Sequence, residues 1–150
     1  MRRNYNKYIV VINMKISTGN QLLGKIEKID IGAVAVKVYI SIGNSIISAD
    51  ISKYACKKLG LKEGIAAIAA INPIDIMICS KDLNISADNK IPGTITKILP
   101  GKINTNVIVK ISEEDELTAI VSNNSLAELE AFTGNEVFLI FNDSSVIVAC

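Results

Sequence analysis

The chain has 150 residues, 49% of them hydrophobic and only 5% aromatic, with no Trp and no His; sixteen Lys and Arg against fifteen Asp and Glu leave a net charge of +1. That balance gives no whole-chain field to draw in nucleic acid or an anionic membrane, so any anion site has to be local. Without His the usual general base, the triads built on it and most zinc or iron sites are excluded, and no enzymatic activity is expected.

A core made of Ile, Val, Leu and Ala suits pleated, half-buried surfaces, which predicts a β-rich fold. At this length the chain fills one ordinary core, or two small ones that lean on each other or on other chains. Cys56, Cys79 and Cys150 form no CxxC pair, and they read as reduced structural thiols of a cytoplasmic protein. Residues 1–13 carry Arg2, Arg3 and Lys7 before the apolar run Tyr8 to Ile12. This run is too short for an export signal and has no small-residue cleavage site, so neither secretion nor membrane insertion is expected.

Beyond that extension the chain repeats itself. Ser17, Asn20, Gly24, Ile29 and Gly32 recur 69 positions on as Ser86, Asn89, Gly93, Ile98 and Gly101. Ala49, Ser52, Leu59, Gly64 and Asn72 recur 70 positions on as Ala119, Ser122, Leu129, Gly134 and Asn142. The chain is an internal duplication over 14–80 and 84–150, joined by Lys81 to Leu83, with one residue inserted between the two anchor sets.

In chain order, Gly24, Gly93, Gly32 and Gly101 read as bulge or turn residues at strand ends. Val34, Val36, Val38, Ile40 and Ile42 then alternate with polar or small residues, and Ile103, Thr105, Val107, Val109 and Ile111 repeat the phase, which predicts strands with one buried face. The insertion falls in a hairpin tip, Gly43-Asn44-Ser45 in the first copy and the acidic run Glu113 to Glu116, read as solvated, in the second. Ser52 and Ser122 are placed to cap short helices over Lys53 to Leu59 and Asn123 to Leu129; Gly60 closes the first and Glu130 stands in its place in the second. Strands are expected at Ile65 to Ile71 and Ile74 to Ile78, with a bend at Pro73, and again at Val137 to Phe141 and Val146 to Ala149. Five strands with one helix after the third predict an all-β chain with one short helix per repeat, arranged as two tandem OB-like Greek-key β-barrels.

Ile16-Ser17-Thr18-Gly19-Asn20-Gln21-Leu22-Leu23-Gly24-Lys25-Ile26 resembles the opening I-S-A-R-N-Q-L-x-G-x-V of the Mop, or molbindin, family, and Ile85 to Gly93 is a looser second copy. Ile51 to Gly64 is similar to the family's I-T-x-x-S-A-x-x-L-G-L-x-x-G segment, and Ala69 to Ile78 to its closing strand pair. Family members commonly begin Met-x-Ile-Ser, so Met14 is an alternative start; residues 1–13 are otherwise an added strand or the remnant of another domain. The resemblance implies a non-enzymatic protein that binds molybdate, or tungstate, at repeat or subunit interfaces for storage or homeostasis. It also implies a homo-oligomer, with a trimer favoured, and no organic cofactor.

A tetrahedral dianion needs short donors converging on a small space, because desolvating it is costly unless each oxygen is satisfied. Backbone amides, hydroxyls and the amide of Asn serve. Carried over by motif position, the first-copy candidates are Ser17, Gly19, Asn20, Ser52, Tyr54, Ala55, Asn72 and Pro73. Those of the second are Ser86, Asn89, Ser122, Asn124, Ser125 and Asn142, with Asp88 and Asp143 at positions that would repel an anion. The helix starts at Ser52 and Ser122 add positive dipole ends, although serines there are also plain caps and Asn is also a plain turn residue.

The chain departs from the family pattern where a cation is usual: Gly19 and Asp88 replace Arg, and Asn72 and Asn142 replace Lys. This motivates an alternative, a ligand-free Mop-like structural or interaction module whose anion site has decayed. Nucleic-acid binding, a frequent use of OB-like barrels, needs aromatics interleaved with cations in a basic groove. Tyr5, Tyr8, Tyr39, Tyr54, Phe132, Phe138 and Phe141 show no such pattern, and residues 1–13 are too short for a helix-turn-helix.

Overall fold

The computed structural model of the chain describes residues 17–150. The extension 1–13 and the alternative start at Met14 lie outside the described residues. In the first repeat β1 (Gln21–Ile31), β2 (Ala35–Ile42) and β3 (Ser45–Ser52) form a meander. Helix α1 (Lys53–Leu59), β4 (Ala66–Ile71), a 3-10 turn at Pro73–Asp75 and β5 (Met77–Ser80) follow. The second repeat runs β6 (Asn89–Pro100), β7 (Asn104–Lys110), β8 (Glu116–Ser122), α2 (Asn123–Leu129), β9 (Glu136–Phe141), a 3-10 turn at Asp143–Ser145 and β10 (Val146–Ala149).

Period-two patterning sets the register. Val36, Val38, Ile40 and Ile42 are all buried, and Val107 and Val109 repeat this in β7. The phase does not hold at the first position, since Val34 and Ile103 are 85% and 76% exposed at the β1–β2 and β6–β7 tips. Both long strands carry a bulge, between Ile26 and Lys28 and between Ile95 and Lys97. Gly24 and Gly93 are not the bulge residues. A Cβ at Gly24 would lie 2.4 Å from the Ser41 carbonyl oxygen, and at Gly93 2.5 Å from Val109 Cγ1, so these glycines let β1 and β6 fold tightly across their partners.

The five-stranded sheets do not follow the sequence repeats. Their strand orders are β10-β4-β1-β2-β3 and β5-β9-β6-β7-β8, every pair antiparallel. Each OB-like Greek-key barrel therefore takes four strands from one repeat and its last from the other: Val146 to Ala149 pair with Ile71 to Ile68, and Met77 to Ser80 with Ile140 to Val137. The physical reason lies at Pro73 and Asp143. There the chain makes a 3-10 turn, so that the strand expected from Ile74 begins only at Met77, and this turn carries the chain onto the neighbouring barrel. One continuous apolar core results, running from Leu22 and Val36 through Ile95 and Leu117 to Val148.

The hairpin tips also meet. A Cβ at Gly43, whose φ is +58°, would lie 2.7 Å from Ser112 Cβ, and Ser112 Oγ donates to Asp115 Oδ2 at 2.7 Å. Asp115 is only 8% exposed. The acidic tip is thus not wholly solvated as expected: Ser112 packs against Gly43 of the other repeat's tip, and Asp115 folds back onto Ser112.

Candidate functional site

Asn20 and Asn89 open their repeats and are each 2% exposed. Each reaches into the other repeat. Asn20 Nδ2 donates to the Thr118 carbonyl (2.8 Å) while its Oδ1 accepts from the Thr118 N–H (2.9 Å). Asn89 makes the same pair of bonds with Ser48, at 3.0 and 2.8 Å, and also accepts from Ser48 Oγ at 3.3 Å. A primary amide has the same donor and acceptor as a backbone amide, so each Asn continues a β ladder where no strand is present. Their side-chain amides are therefore committed to holding the repeats together.

Around each clamp lie the opening turn of one repeat, its 3-10 turn and the third strand of the other. Near Asn20, Thr18 Oγ1 donates to the Ile71 carbonyl (3.0 Å) and accepts from the Asn20 N–H (3.3 Å), while the Ile71 N–H donates to the Asn20 carbonyl (3.0 Å). Ser17, Gly19 and Asn72 are exposed here, Pro73 is half-buried, and a Cβ at Gly19 would meet nothing within 4 Å. Asn72 Oδ1 accepts from the Ile74 N–H (3.3 Å) and caps the turn.

Near Asn89, by contrast, the Asp143 N–H donates to Asp88 Oδ2 (3.3 Å), and Lys37 Nζ stands 3.1 Å from Asp143 Oδ2. Asp143 is 9% exposed. The hydrogen bond and charge of Asp143, helped by the charge of Asp88, hold the Lys37 ammonium above the usual lysine range. Ser86 and Asn142 are exposed beside this cluster, and Asn142 makes no side-chain cap bond.

The helix starts behave as caps. Ala55 N–H donates to Ser52 Oγ (3.0 Å), and Ser125 N–H to Ser122 Oγ (3.1 Å). Tyr54 is 73% exposed, and Asn124 is also exposed. Ser122 lies four residues along β8 from Thr118, about 13 Å at ~3.3 Å per strand residue. Opening turn and 3-10 turn are thus brought together within one chain, and the helix start is left apart.

Sequence reading did not single out Thr18, Ser48, Thr118 or Lys37. Thr18 sits between two candidates and could have been drawn in by adjacency. Lys37 reads as an outward charge on an alternating strand, and nothing in the order of residues points to a partner 106 positions on. Among the described residues there is no cluster of His, Cys, Asp or Glu able to hold a metal, and no helix is long and apolar enough to cross a membrane.

The model of the TOBE domain matches residues 16–78 and again 85–148. The chain belongs to the TOBE-domain family. Its two TOBE repeats are 28% identical over 141 residues to a molybdenum transport protein ModE of Herbaspirillum seropedicae, covering 92% of this chain and 52% of that protein. They are 26% identical over 142 residues to the molybdenum-pterin-binding protein MopA of Rhodobacter capsulatus, covering 92% and 53%. The chain thus spans about half the length of these curated relatives. A 66-residue stretch is 41% identical to a probable molybdenum-pterin-binding protein of Haemophilus influenzae, covering 43% of this chain and 96% of that protein. Among solved structures the TOBE pair is similar to the cytoplasmic molybdate-binding protein ModG in its molybdate-bound form, with a TM-score of 0.86 at 26% identity over 91% of this chain and 99% of that one.

Proposed function

We propose that this chain binds a tetrahedral oxyanion, molybdate or tungstate, in the cytoplasm for storage or homeostasis, and performs no catalysis. The observation that carries this reading is the likeness to molybdate-bound ModG over nearly the whole of both chains. The donors at the first-repeat position suit such a guest: an open opening turn at Ser17 and Gly19, and the Asn72-Pro73 turn beside it. Neutral donors in such a turn, once covered by a neighbouring copy, select a compact anion by geometry and hydrogen bonding.

Because the helix start stands about 13 Å away along β8, Ser52, Tyr54, Ala55, Ser122, Asn124 and Ser125 join such a site when supplied by another copy. Ile31 and Val34 at one hairpin tip, and Leu99 and Ile103 at the equivalent tip, are 48% to 85% exposed. Paired apolar patches of that kind favour self-association, and the trimer implied by the family resemblance is the assembly proposed.

A second reading, the ligand-free module, is favoured by two observations: Gly19, Asp88, Asn72 and Asn142 replace the family's cations, and the Asn20 and Asn89 amides are committed to clamps. Calorimetric titration of the purified protein with molybdate, tungstate and sulfate separates the two. Saturable heat with molybdate or tungstate, accompanied by a rise in melting temperature, is expected from oxyanion binding. No heat and no shift with any of the three would leave the ligand-free module.

A further inference from the structure

The two repeats present pseudo-equivalent positions with different contents. At the second, Asp88 and Asp143 carry carboxylates and Lys37 answers them; the corresponding residues at the first are Gly19, Pro73 and Asn106, none of them charged. The Asp143 N–H, at the start of a 3-10 turn, already donates to Asp88 Oδ2 (3.3 Å), and a neighbouring ammonium, Lys37 Nζ, stands 3.1 Å from Asp143 Oδ2. Asp143 is nearly buried, so its carboxylate faces Lys37 of β2 rather than bulk water.

We propose that the second-repeat position is closed to oxyanions by the chain's own carboxylates, with Asp88 taking the turn amide and Asp143 taking Lys37, so that binding is confined to the first-repeat position. This rests on the oxyanion-binding reading above. A carboxylate and an oxyanion use the same donors and repel each other when both are held close. A protein that keeps an internal carboxylate on the amide and the ammonium therefore excludes an incoming dianion twice, by occupying the donors and by its charge. Asp88 and Asp143 are on this view selectivity determinants, and Lys37 is the countercharge that makes the closed arrangement tolerable in a partly buried place.

Native mass spectrometry with a molybdate titration tests this on the full chain. In Asp88→Asn with Asp143→Asn both side chains keep their size, the turn amide is left with at most a neutral carboxamide oxygen that a dianion can displace, and Lys37 becomes an uncompensated cation. The double variant should take up twice the molybdate per chain that the wild type takes at saturation, and adding Lys37→Gln, which leaves the position as uncharged as the first, should keep the count above the wild-type value. Asp88→Gly alone changes only an exposed side chain to the residue found at position 19. It should also raise the count, which guards against a double variant that fails to fold.

A double variant and Asp88→Gly that both saturate at the wild-type count would overturn the closed position while leaving oxyanion binding intact. So would a wild type already filled at both positions. No molybdate on the wild type or on any variant would instead remove the oxyanion reading itself.

Discussion

The two TOBE repeats were copied from one pattern, yet the places where they meet have diverged in opposite directions. Where the first repeat opens onto β8, Gly19, Pro73 and Asn106 leave the turn open and uncharged. Where the second opens onto β3, Asp88, Asp143 and Lys37 fill the same ground with a carboxylate–amide bond and an ion pair. The clamps beneath, Asn20 on Thr118 and Asn89 on Ser48, keep the same geometry in both. Residues that join the repeats have stayed alike, and the residues that rim the joint have changed.

The largest expected effect tests the shared part. Asn20→Ala or Asn89→Ala leaves a strand N–H and C=O, part-buried at Thr118 and buried at Ser48, without the side-chain partner, which costs about 1–3 kcal/mol. Asn89→Ala should be the more damaging, because Ser48 Oγ loses its acceptor as well. Urea denaturation should show lower midpoints in that order; equal, negligible shifts would mean that the repeats are not held by these amides.

A smaller contrast lies at the helix ends. Gly60 and Glu130 both adopt the left-handed conformation, at φ 63° and 53°. Only glycine does so without a steric penalty of ~1–2 kcal/mol. Glu130→Gly should therefore raise thermal stability by roughly 1 kcal/mol, and Gly60→Ala should lower it by a similar amount. A destabilised Glu130→Gly variant would show that Glu130 contributes more than its backbone.

The smallest effect belongs to Lys37. Its ammonium is held above the ordinary value of 10.5 by the hydrogen bond and charge of Asp143. A raised folded-state value contributes stability that is fully present below pH 10.5 and is lost as pH rises through the folded value. With Lys37 more than a third exposed, the contribution is roughly 0.5 kcal/mol or less. Lys37→Gln should accordingly be slightly less stable than wild type at pH 8, with the difference shrinking in alkaline buffer. A gap that widened with pH would contradict the ion pair.

Much of this was legible in the linear chain. The duplication, the alternation of Val36 to Ile42, and the caps at Ser52 and Ser122 predict two five-stranded OB-like units, and both helices to the residue, because these signals are local: period, propensity and capping act within a few positions. The candidate positions were likewise readable as motif matches, and the loss of cations at Gly19, Asp88, Asn72 and Asn142 was visible at once.

Long-range pairing was not legible. Nothing in the order of residues distinguishes a last strand that returns to its own barrel from one that crosses to the other, since β5 and β10 have the same pattern in either case; the 3-10 turns and the single shared core settle it. The same holds for Asn20 and Asn89, which read as turn residues or ligands until a strand 98 or 41 positions away is seen to take both ends of the amide. Local chemistry set the elements and their faces. Which faces and which charges met, Lys37 with Asp143 among them, depended on packing between distant segments, where burial and hydrogen-bond satisfaction act on the folded whole.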